Sequence, residues 1–243
     1  MRILVTNDDG INASQLIPLI RCCKKLGDVT VIVPKHEQSG KSLGIELRLP
    51  FEVKEVQLAE DICALSVDST PADCVRFAIL GLKKEFDLVI SGINCGFNIG
   101  VDTQYSGTAG AALEAANLGV KAIALSTSAE NYDHSTEDLD KVFDFIFDNK
   151  LLDIYGIYNV NIPPNPLGIR FTRQGGAYYS DDFEKIGEDL YIARGKNVYE
   201  EKEGLTLDTD ATLKGYVSIM PLAVDKTNME VYKELCEKFG QTD

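Results

Sequence analysis

Short apolar runs alternate with amphipathic stretches through the first half of the chain, and this alternation constrains the fold more than any other feature. The apolar runs, each predicted to form a buried strand, are RILVT, DVTVIV, ICALSV, DLVIS and VKAIALST. The stretches predicted to form helices are SQLIPLIRCCKKL, PADCVRFAILGLK and GTAGAALEAANLG. Strands that alternate with helices imply a parallel sheet with right-handed crossovers and helices on both faces. The sequence therefore predicts a doubly wound α/β domain with a mostly parallel sheet.

The segment GIELRLPFEVKEVQL, residues 44–58, departs from this rhythm because polar and apolar residues alternate in it. Such alternation is typical of a strand with one exposed face, and Pro50 interrupts it in the middle. We expect an antiparallel β-hairpin to be inserted here, lying off the main sheet.

A second change follows residue 155, where the chain becomes rich in Pro, Gly and Tyr. EDLYIARGKNVYEEKEG predicts a projecting acidic hairpin, KGYVSIMPL a further strand, and NMEVYKELCEKFG a closing helix. We therefore divide the chain into a core at residues 1–160 and a C-terminal extension at residues 161–243. Arms of this kind often pack on a second copy of the chain, so we expect a homodimer or homotetramer.

Charge and composition exclude several classes of protein. The formal net charge of −14 disfavours a long nucleic-acid partner, because binding to its backbone is driven largely by Lys and Arg. No apolar run approaches the ~18 residues that a membrane span needs, and the start lacks the basic and apolar regions of a signal peptide. Six cysteines without a C-x-x-C pair indicate reduced thiols rather than disulfides or a zinc cluster. We expect a cytoplasmic protein without a membrane partner.

Two adjacent carboxylates, Asp8 and Asp9, follow the first predicted strand. In the common strand order 3-2-1-4-5, the DLVIS strand lies beside the first one, and ligands bind beyond the carboxyl ends of the strands at this point. Asn94 and Asn98 follow the DLVIS strand in the segment GINCGFNIG. We therefore expect the two asparagines to lie close to the two aspartates.

The segment PKHEQSGKS follows the second predicted strand and should close the same crevice with His36, Ser39 and Lys41. Carboxylate, hydroxyl and amide oxygens are ligands that Mg²⁺ and Mn²⁺ prefer, and a divalent ion would offset the paired charge of Asp8 and Asp9. Taken alone, the adjacent pair is better explained by one aspartate that caps the following helix and one that is solvated than by a metal site. The convergence of these segments favours a metal site.

A glycine-rich stretch, YSGTAGAALEA, adds a candidate anion site, since it places Ser106, Gly107 and Thr108 at a helix start. Free N–H groups and the helix dipole favour a phosphate there, although an ordinary Ser or Thr cap explains the motif equally well. The segment SGKS is not a P-loop, because that motif requires glycine where Lys35 stands. A metal ion and a phosphate cradle in one crevice together predict metal-assisted phosphoryl chemistry.

Five blocks resemble those of one family in order and spacing, namely ILVTNDDGINA, PKHEQSGKS, VDSTPADCV, SGINCGFNIGVDTQYSGTAGAALEA and GYVSIMPL. The family is SurE, the stationary-phase survival proteins, and the resemblance runs from residue 1 to about residue 223. It implies a Rossmann-like core and a divalent-metal-dependent phosphatase of nucleoside 5′-monophosphates. It also implies side activities on 3′-nucleotides and short polyphosphate, and dimers or tetramers built through the C-terminal arm. Ser69, Ala109 and Met220 stand where the family commonly has Gly, Val and Thr.

The resemblance also implies roles for individual residues. It implies one divalent metal ion per subunit, Mg²⁺ or Mn²⁺, with the ligands Asp8, Asp9, Ser39 and Asn94. It implies phosphate contacts from Asn98, Ser106, Gly107 and Thr108, and it places His36 in a block that lines the site. We predict that Asp8 or Asp9 orients or deprotonates the attacking water and that His36 protonates the leaving hydroxyl. A partly buried His36 that only fixes its loop is the structural alternative.

Two other classes of protein place aspartates after their first strand. A haloacid-dehalogenase-type phosphatase needs D-x-D with a nucleophilic first aspartate, whereas Asp8 and Asp9 are adjacent. A non-enzymatic receiver-like or nucleotide-binding module is a further alternative, and Asp68 after ICALSV could be its phospho-acceptor. The segment ALSTSAE lacks the strand-end lysine that a receiver requires. The sequence therefore favours the metal-dependent phosphohydrolase.

Overall fold

The structure is a computed structural model that describes residues 1–134 and 136–241. The β-strands are β1 (Arg2–Thr6), β2 (Asp28–Pro34), β3 (Val53–Ala59), β4 (Ile62–Val67), β5 (Leu88–Cys95), β6 (Lys121–Thr127), β7 (Ile157–Ile162), β8 (Ile169–Phe171), β9 (Tyr179–Lys185), β10 (Tyr191–Asn197) and β11 (Val217–Pro221). The α-helices are α1 (Leu16–Lys24), α2 (Pro71–Arg76), α3 (Gly107–Asn117), α4 (Leu139–Asp148), α5 (Leu151–Ile154), α6 (Asp208–Leu213) and α7 (Met229–Phe239). Short 3₁₀ segments cover Gly100–Tyr105 and Ala129–His134. Within the described ranges, no helix combines the length and the apolar composition needed to cross a bilayer.

The main sheet has the strand order β3-β4-β2-β1-β5-β6-β7-β11-β8. The neighbours from β4 to β7 all pair in parallel. β1 thus lies between β2 and β5, at the point where the strand order reverses. The predicted doubly wound, mostly parallel α/β fold is confirmed.

Successive side chains of the central strands are buried on opposite faces of the sheet. In β1, Ile3 and Val5 pack in the core layer that contains the apolar residues of α1 and α4. Leu4, between them, packs in the layer that contains the apolar residues of α2 and α3. A strand covered by helices on both faces has no polar face, which explains why Ile3, Leu4 and Val5 are all apolar.

The insertion at residues 44–58 differs from the prediction. Residues 44–52 form bends and irregular backbone without a strand. β3 pairs antiparallel with β4 and forms an edge of the main sheet. The expectation of a hairpin lying off the main sheet is therefore wrong. The alternating sequence of β3 suits an edge strand, because such a strand is only partly covered.

Beyond β7 the chain both adds to the main sheet and leaves it. β11 pairs antiparallel with β7, and β8 pairs in parallel with β11. β9 and β10 form a separate antiparallel ribbon with largely exposed residues, which begins earlier in the chain than the predicted hairpin at 188–204. α7 has no fully buried residue. Strands on both sides of residue 160 belong to one sheet, and the division of the chain there stays a prediction.

Helix α3 approaches the loop after β2 so closely that it requires glycine. In that loop, the Ser42 N–H donates to the Tyr105 carbonyl at 3.0 Å and the Ser42 hydroxyl donates to the Gln104 carbonyl at 2.6 Å. A Cβ on Gly110 would overlap the carbonyl oxygen of Ser42. Gly110 therefore allows the loop that carries Ser39 to pack against the first turns of α3.

We expect Gly110→Ala to destabilise the protein by about 1–3 kcal/mol, as overpacking of a close contact does. The same change in an open helix stabilises by about 1 kcal/mol. Gly156→Ala is the matched control, because a Cβ there meets no atom within 4 Å. Urea unfolding followed by circular dichroism measures both variants. A Gly110→Ala protein as stable as the parent would contradict the close approach.

Candidate active site

The turn after β1 holds the two adjacent carboxylates in place. The Asn7 side chain spans the turn, since its Nδ2 donates to the Gly10 carbonyl at 3.0 Å and its Oδ1 accepts from the Gly10 N–H at 3.1 Å. Gly10 has φ +88°, and a Cβ there would lie 3.0 Å from the backbone carbonyl carbon of His36. Glycine suits both that conformation and that space. Asp8 and Asp9 are thereby fixed between β1 and the loop after β2.

Asp8 is only 3% exposed, and its carboxylate contacts the start of α3. The Thr108 hydroxyl donates to Asp8 Oδ1, and the Thr108 N–H donates to Asp8 Oδ2 at 3.2 Å. Gly107 makes this approach possible, because a Cβ on it would lie 2.9 Å from the Cβ of Asp8. Burial raises the pKa of Asp8 to about 6, the Thr108 hydroxyl opposes the rise, and the charge of Asp9 adds to it.

Asp9 accepts two hydrogen bonds on one carboxylate oxygen. The Cys95 N–H donates to its Oδ2 at 3.2 Å, and the Tyr132 hydroxyl donates to the same atom at 3.1 Å. Desolvation raises the pKa of Asp9, and the hydrogen bonds from Tyr132 and Cys95 oppose the rise. Desolvation and the charge of Asp9 also raise the pKa of the Tyr132 hydroxyl, so that Tyr132 acts as a donor.

Tyr132 belongs to the site although no motif in the sequence marks it. It lies 123 residues from Asp9, in the 3₁₀ segment Ala129–His134 between β6 and α4. That segment reads as an ordinary polar loop in the sequence. The one signal that points to it is its position after β6, a strand that ends at the same edge of the sheet as β1 and β5.

The loop after β2 is bonded through its backbone to the main chain of Asp8. The Gln38 N–H donates to the Asp8 carbonyl at 2.7 Å. The Ser39 hydroxyl donates to Glu37 Oε1 at 2.7 Å. The side chains of His36 and Ser39 are both exposed. The loop thus attaches to the residue that carries the first carboxylate, while the roles of His36 and Ser39 stay predictions.

Asn94 lies near the end of β5, where the pairing with β6 shifts register between Ser91 and Asn94. Its Nδ2 donates to the Gly96 carbonyl at 2.7 Å. This bond occupies a donor of the amide group and leaves the amide oxygen as an acceptor. Asn94 precedes Cys95, whose N–H binds Asp9, so the structure brings Asn94 to the carboxylates.

Ser106 caps helix α3, and its hydroxyl accepts from the Ala109 N–H at 3.0 Å. The first N–H groups of a helix have no intrahelical acceptor. Here Asp8 takes the N–H of Thr108, and Ser106 takes that of Ala109. Asp8 is therefore itself an anion at the N-terminus of α3, where the helix dipole favours negative charge. The same groups suit a phosphate.

Asn98 lies in a buried network of amide groups. Its Nδ2 donates to Ser126 Oγ at 2.8 Å, and its N–H donates to Asn161 Oδ1 at 2.9 Å. Its carbonyl accepts from the side chains of Asn159, Asn161 and Thr103 at 2.7, 3.1 and 3.0 Å. The structure thus gives the Asn98 side chain an internal partner, and its phosphate contact stays a prediction.

Asp208 fixes the loop before α3 from the C-terminal part of the chain. Its buried carboxylate accepts from the Gly100 N–H at 2.9 Å and from the Gly175 N–H at 2.7 Å. Burial raises the pKa of Asp208, and these backbone hydrogen bonds oppose the rise. The contact is not visible in the sequence, because Asp208 and Gly100 lie 108 residues apart.

The donors at this edge of the sheet suit a hard divalent cation. The structure fixes the carboxylates of Asp8 and Asp9 here, and the sequence predicts that the amide oxygen of Asn94 and the hydroxyl of Ser39 join them. In the described part of the chain, neither aspartate pairs with a Lys, Arg or His. No cluster of three or more His, Cys, Asp or Glu with metal-site geometry occurs among residues 1–134 and 136–241. An ion here would therefore depend on the amide and hydroxyl oxygens, which Mg²⁺ and Mn²⁺ accept.

Comparisons with known proteins agree with this geometry. Residues 3–181 match the family model described as Survival protein SurE. The chain is 39% identical over 251 residues to a 5′-nucleotidase SurE of Thermosipho melanesiensis, covering 98% of each chain. It is 36% identical over 248 residues to a 5′-nucleotidase SurE of Legionella pneumophila, covering 97% of this chain and 96% of the relative. The crystal structure of a SurE protein from Aquifex aeolicus matches with a TM-score of 0.78 at 30% identity, covering 98% of this chain and 100% of that one.

We expect pH to change the stability of the metal-free protein through Asp8. Burial raises its pKa from 3.8 to about 6, so the folded state binds more protons than the unfolded state between these values. The free energy of unfolding should therefore fall as pH rises from about 4 to about 6. A shift of this size corresponds to about 3 kcal/mol. Urea titrations in EDTA, for the parent and for Asp8→Asn, measure the difference.

Asp8→Asn removes this titration, so the parent should lose stability relative to the variant across that pH range. Asp68→Asn is the matched control, because Asp68 is exposed and pairs with Lys35 at 3.2 Å. Parallel stability curves for the parent and Asp8→Asn would contradict the burial of an ionised carboxylate at Asp8.

Proposed function

The chain belongs to the SurE family and is a hydrolase of the 5′-nucleotidase class, and from this premise we propose that it removes phosphate from nucleoside 5′-monophosphates with one divalent ion per subunit. Mg²⁺ and Mn²⁺ are the ions proposed. The observation that carries the proposal is the adjacent pair Asp8 and Asp9, of which Asp8 contacts the start of α3, with no cationic partner for either among the described residues. Paired negative charge beside a helix N-terminus can hold a cation and a phosphate next to each other.

The proposed metal ligands are Asp8, Asp9, Ser39 and Asn94. A divalent ion held by them supplies positive charge to the phosphoryl group and to its nucleophile. Asp9 offers Oδ1, because its Oδ2 accepts both of its hydrogen bonds. Asn94 offers its amide oxygen, because its Nδ2 is bonded to the Gly96 carbonyl. Ser39 joins them by turning its hydroxyl away from Glu37.

The proposed phosphate contacts are Asn98 and the first residues of α3. Ser106, Gly107 and Thr108 offer hydroxyl and N–H donors at the positive end of the helix dipole. Asp8 holds the Thr108 donors in the structure. We infer that Asp8 releases them when it turns to the cation, so that Thr108 can bind phosphate oxygens. Donors aimed at these oxygens stabilise the charge that develops during transfer.

Proton transfer is proposed for the aspartates and for His36. Burial raises the pKa of Asp9, which suits Asp9, or Asp8 beside it, to orient or deprotonate the attacking water. His36 is proposed as the acid for the leaving hydroxyl, since it lies on the loop that Gln38 ties to the Asp8 carbonyl. The exposed side chain of His36 argues against a partly buried histidine that only fixes its loop.

Further substrates are proposed as well. The 3′-nucleotides and short polyphosphate present the same terminal phosphoryl oxygens to the start of α3, and these contacts do not depend on the position of the ester. Membership of the SurE family sets aside the haloacid-dehalogenase and receiver alternatives. Asp68, the candidate phospho-acceptor of a receiver, is an exposed residue paired with Lys35.

A homodimer or homotetramer is proposed on the basis of the arm formed by the β9–β10 ribbon and α7. Tyr232, Leu235 and Phe239 form an apolar stripe on α7 at spacings of three and four residues, and all three are exposed. Phe239 is 66% exposed. An amphipathic helix whose apolar stripe is uncovered in its own chain can bury that stripe in an assembly.

With Mg²⁺ or Mn²⁺, the parent should release phosphate from nucleoside 5′-monophosphates, and EDTA should abolish the release. Asp8→Asn should lower kcat/KM by at least about 100-fold, because losing a ligand costs more than the 10–100-fold effect of losing an outer partner. A molybdate assay measures the phosphate, and circular dichroism confirms that the variant is folded.

Asp68→Asn should match the parent in this assay, because it makes the same chemical change at an exposed ion pair. His36→Ala should lower kcat by about 100-fold or more between about pH 5 and about pH 9, as loss of a general acid does. An Asp8→Asn protein that is as active as the parent would contradict the metal site. A trapped phospho-aspartate would favour the dehalogenase-type mechanism instead.

Sedimentation velocity tests the assembly. Leu235→Glu should shift the protein to the monomer, because it places a charge in the apolar stripe of α7. Lys233→Glu introduces the same residue on the opposite side of the helix and should leave the assembly intact. A parent that sediments as a monomer would refute the proposed oligomer.

A further inference from the structure

A cavity of about 450 Å³ lies next to the candidate active site and is not used by the chemistry proposed above. Its lining includes Gly96 and Phe97 after β5, Glu130 after β6, Pro163 after β7, Tyr178 at the base of the ribbon and Thr212 in α6. Small-molecule sites are concave pockets of about 300–1,000 Å³ with few polar groups. The size of this cavity is therefore suited to a small ligand.

Two lining residues, Gly96 and Glu130, connect the cavity to the surroundings of the carboxylate pair. On one side, the Gly96 carbonyl accepts from Asn94 Nδ2 at 2.7 Å. On the other side, Glu130 lies two residues before Tyr132, so their backbones are within about 7 Å of each other. The Tyr132 hydroxyl donates to Asp9 at 3.1 Å. A ligand whose phosphate is bound at the start of α3 can therefore extend into this cavity.

The aromatic wall of the cavity is fixed by the segment that leads into α3. Asp102 Oδ2, in the 3₁₀ segment Gly100–Tyr105, accepts from the N–H groups of Tyr178 at 3.3 Å and Tyr179 at 2.8 Å. The rings of these two tyrosines pack edge to face with their centroids 4.7 Å apart. Tyr178 is half-buried, so part of its ring is covered and part is accessible. A ring held in this way can stack on a flat ligand group.

The polar groups of the cavity suit an uncharged ligand group that carries hydroxyls. Glu130 places an exposed carboxylate on the side of the cavity that is nearest Tyr132. Among the described residues, no Lys or Arg lines the cavity, so it offers no cationic side chain to hold a phosphate. The buried Thr212 hydroxyl has no hydrogen-bond partner within the described ranges. A carboxylate accepts hydrogen bonds from ribose hydroxyls in dinucleotide sites, and an aromatic face stacks on any nucleobase.

We propose that this cavity binds the nucleoside part of the substrate, with the base stacked on the Tyr178 ring and the ribose hydroxyls donating to Glu130. The proposal rests on the proposed function, because it places the phosphate at Thr108 and the start of α3. The ribose then lies between Gly96 and Glu130, and the base lies beyond it at Tyr178. Stacking tolerates different bases, so the enzyme accepts any of them but distinguishes ribose from deoxyribose.

Calorimetric titration with adenosine tests the cavity without requiring hydrolysis. The parent should bind adenosine, and Tyr178→Ala should weaken the binding by about 10-fold or more, as loss of base stacking does. Tyr178→Phe keeps the ring and should restore the affinity. Glu130→Gln, on a different segment, should reduce the preference for adenosine over 2′-deoxyadenosine by about 10-fold, because hydrogen bonds to a charged group are stronger than neutral ones.

Kinetics supply a second measurement on the same variants. The ratio of kcat/KM for adenosine 5′-monophosphate to that for ribose 5-phosphate, which lacks a base, should fall by about 10-fold in Tyr178→Ala through a higher KM for the nucleotide. Tyr178→Phe should keep the ratio of the parent. A merely structural role for Tyr178 would lower kcat/KM for both substrates equally and leave the ratio unchanged.

The outcomes separate this proposal from the proposed function. The cavity assignment is overturned if adenosine does not bind the parent. It is also overturned if adenosine binds Tyr178→Ala as tightly as it binds the parent. Equal losses of affinity in Tyr178→Ala and Tyr178→Phe overturn the stacking of the base. A parent that binds adenosine through Tyr178 but releases no phosphate from any nucleotide contradicts the proposed function and leaves the nucleoside cavity in place.

Discussion

The contact between Asp8 and the first turn of α3 positions the other parts of the candidate site. Both donors of Thr108 hold the Asp8 carboxylate, while the Gln38 N–H holds the carbonyl of the same residue. Gly107 has to lack a side chain for the turn after β1 and the helix to come this close. Three segments that are distant in the sequence thus meet at one residue. The cost is a buried carboxylate with a raised pKa.

Much of the fold follows from local features of the sequence. Strands covered on both faces are rich in apolar residues. Helix starts carry capping residues, so Thr70 accepts from the Asp73 N–H and Ser106 accepts from the Ala109 N–H. The common doubly wound order 3-2-1-4-5, combined with right-handed crossovers, then gives the strand order. This order alone places Asp8 and Asn94 at the ends of neighbouring strands, which is why the central part of the site could be predicted.

The rest of the site depends on contacts between distant residues, for which the sequence carries no periodic signal. Tyr132 binds Asp9 across 123 residues, from a segment that looks like an ordinary polar loop. Asn98 is held by two asparagines of β7, and the sequence shows that β7 contains polar residues but not which residue they bind. The position of the insertion at 44–58 also does not follow from the sequence. Alternation indicates one exposed face, but it does not indicate whether the strand lies at the edge of the main sheet or off it.

The position of Asp8 at the end of a helix dipole makes that helix end selective. Because Asp8 belongs to the chain, it is present there at an effective concentration that no dissolved anion of similar charge reaches. A lone anion such as chloride or acetate has to displace Asp8 from Thr108 without the help of a bound cation. At the proposed site, Asp8 would release Thr108 for a phosphate if a cation drew it away, and a phosphate bound to Thr108 would leave Asp8 available for the cation. The two ligands would then raise each other's affinity by the same factor, so the proposed site would prefer a metal–phosphate pair over either partner alone.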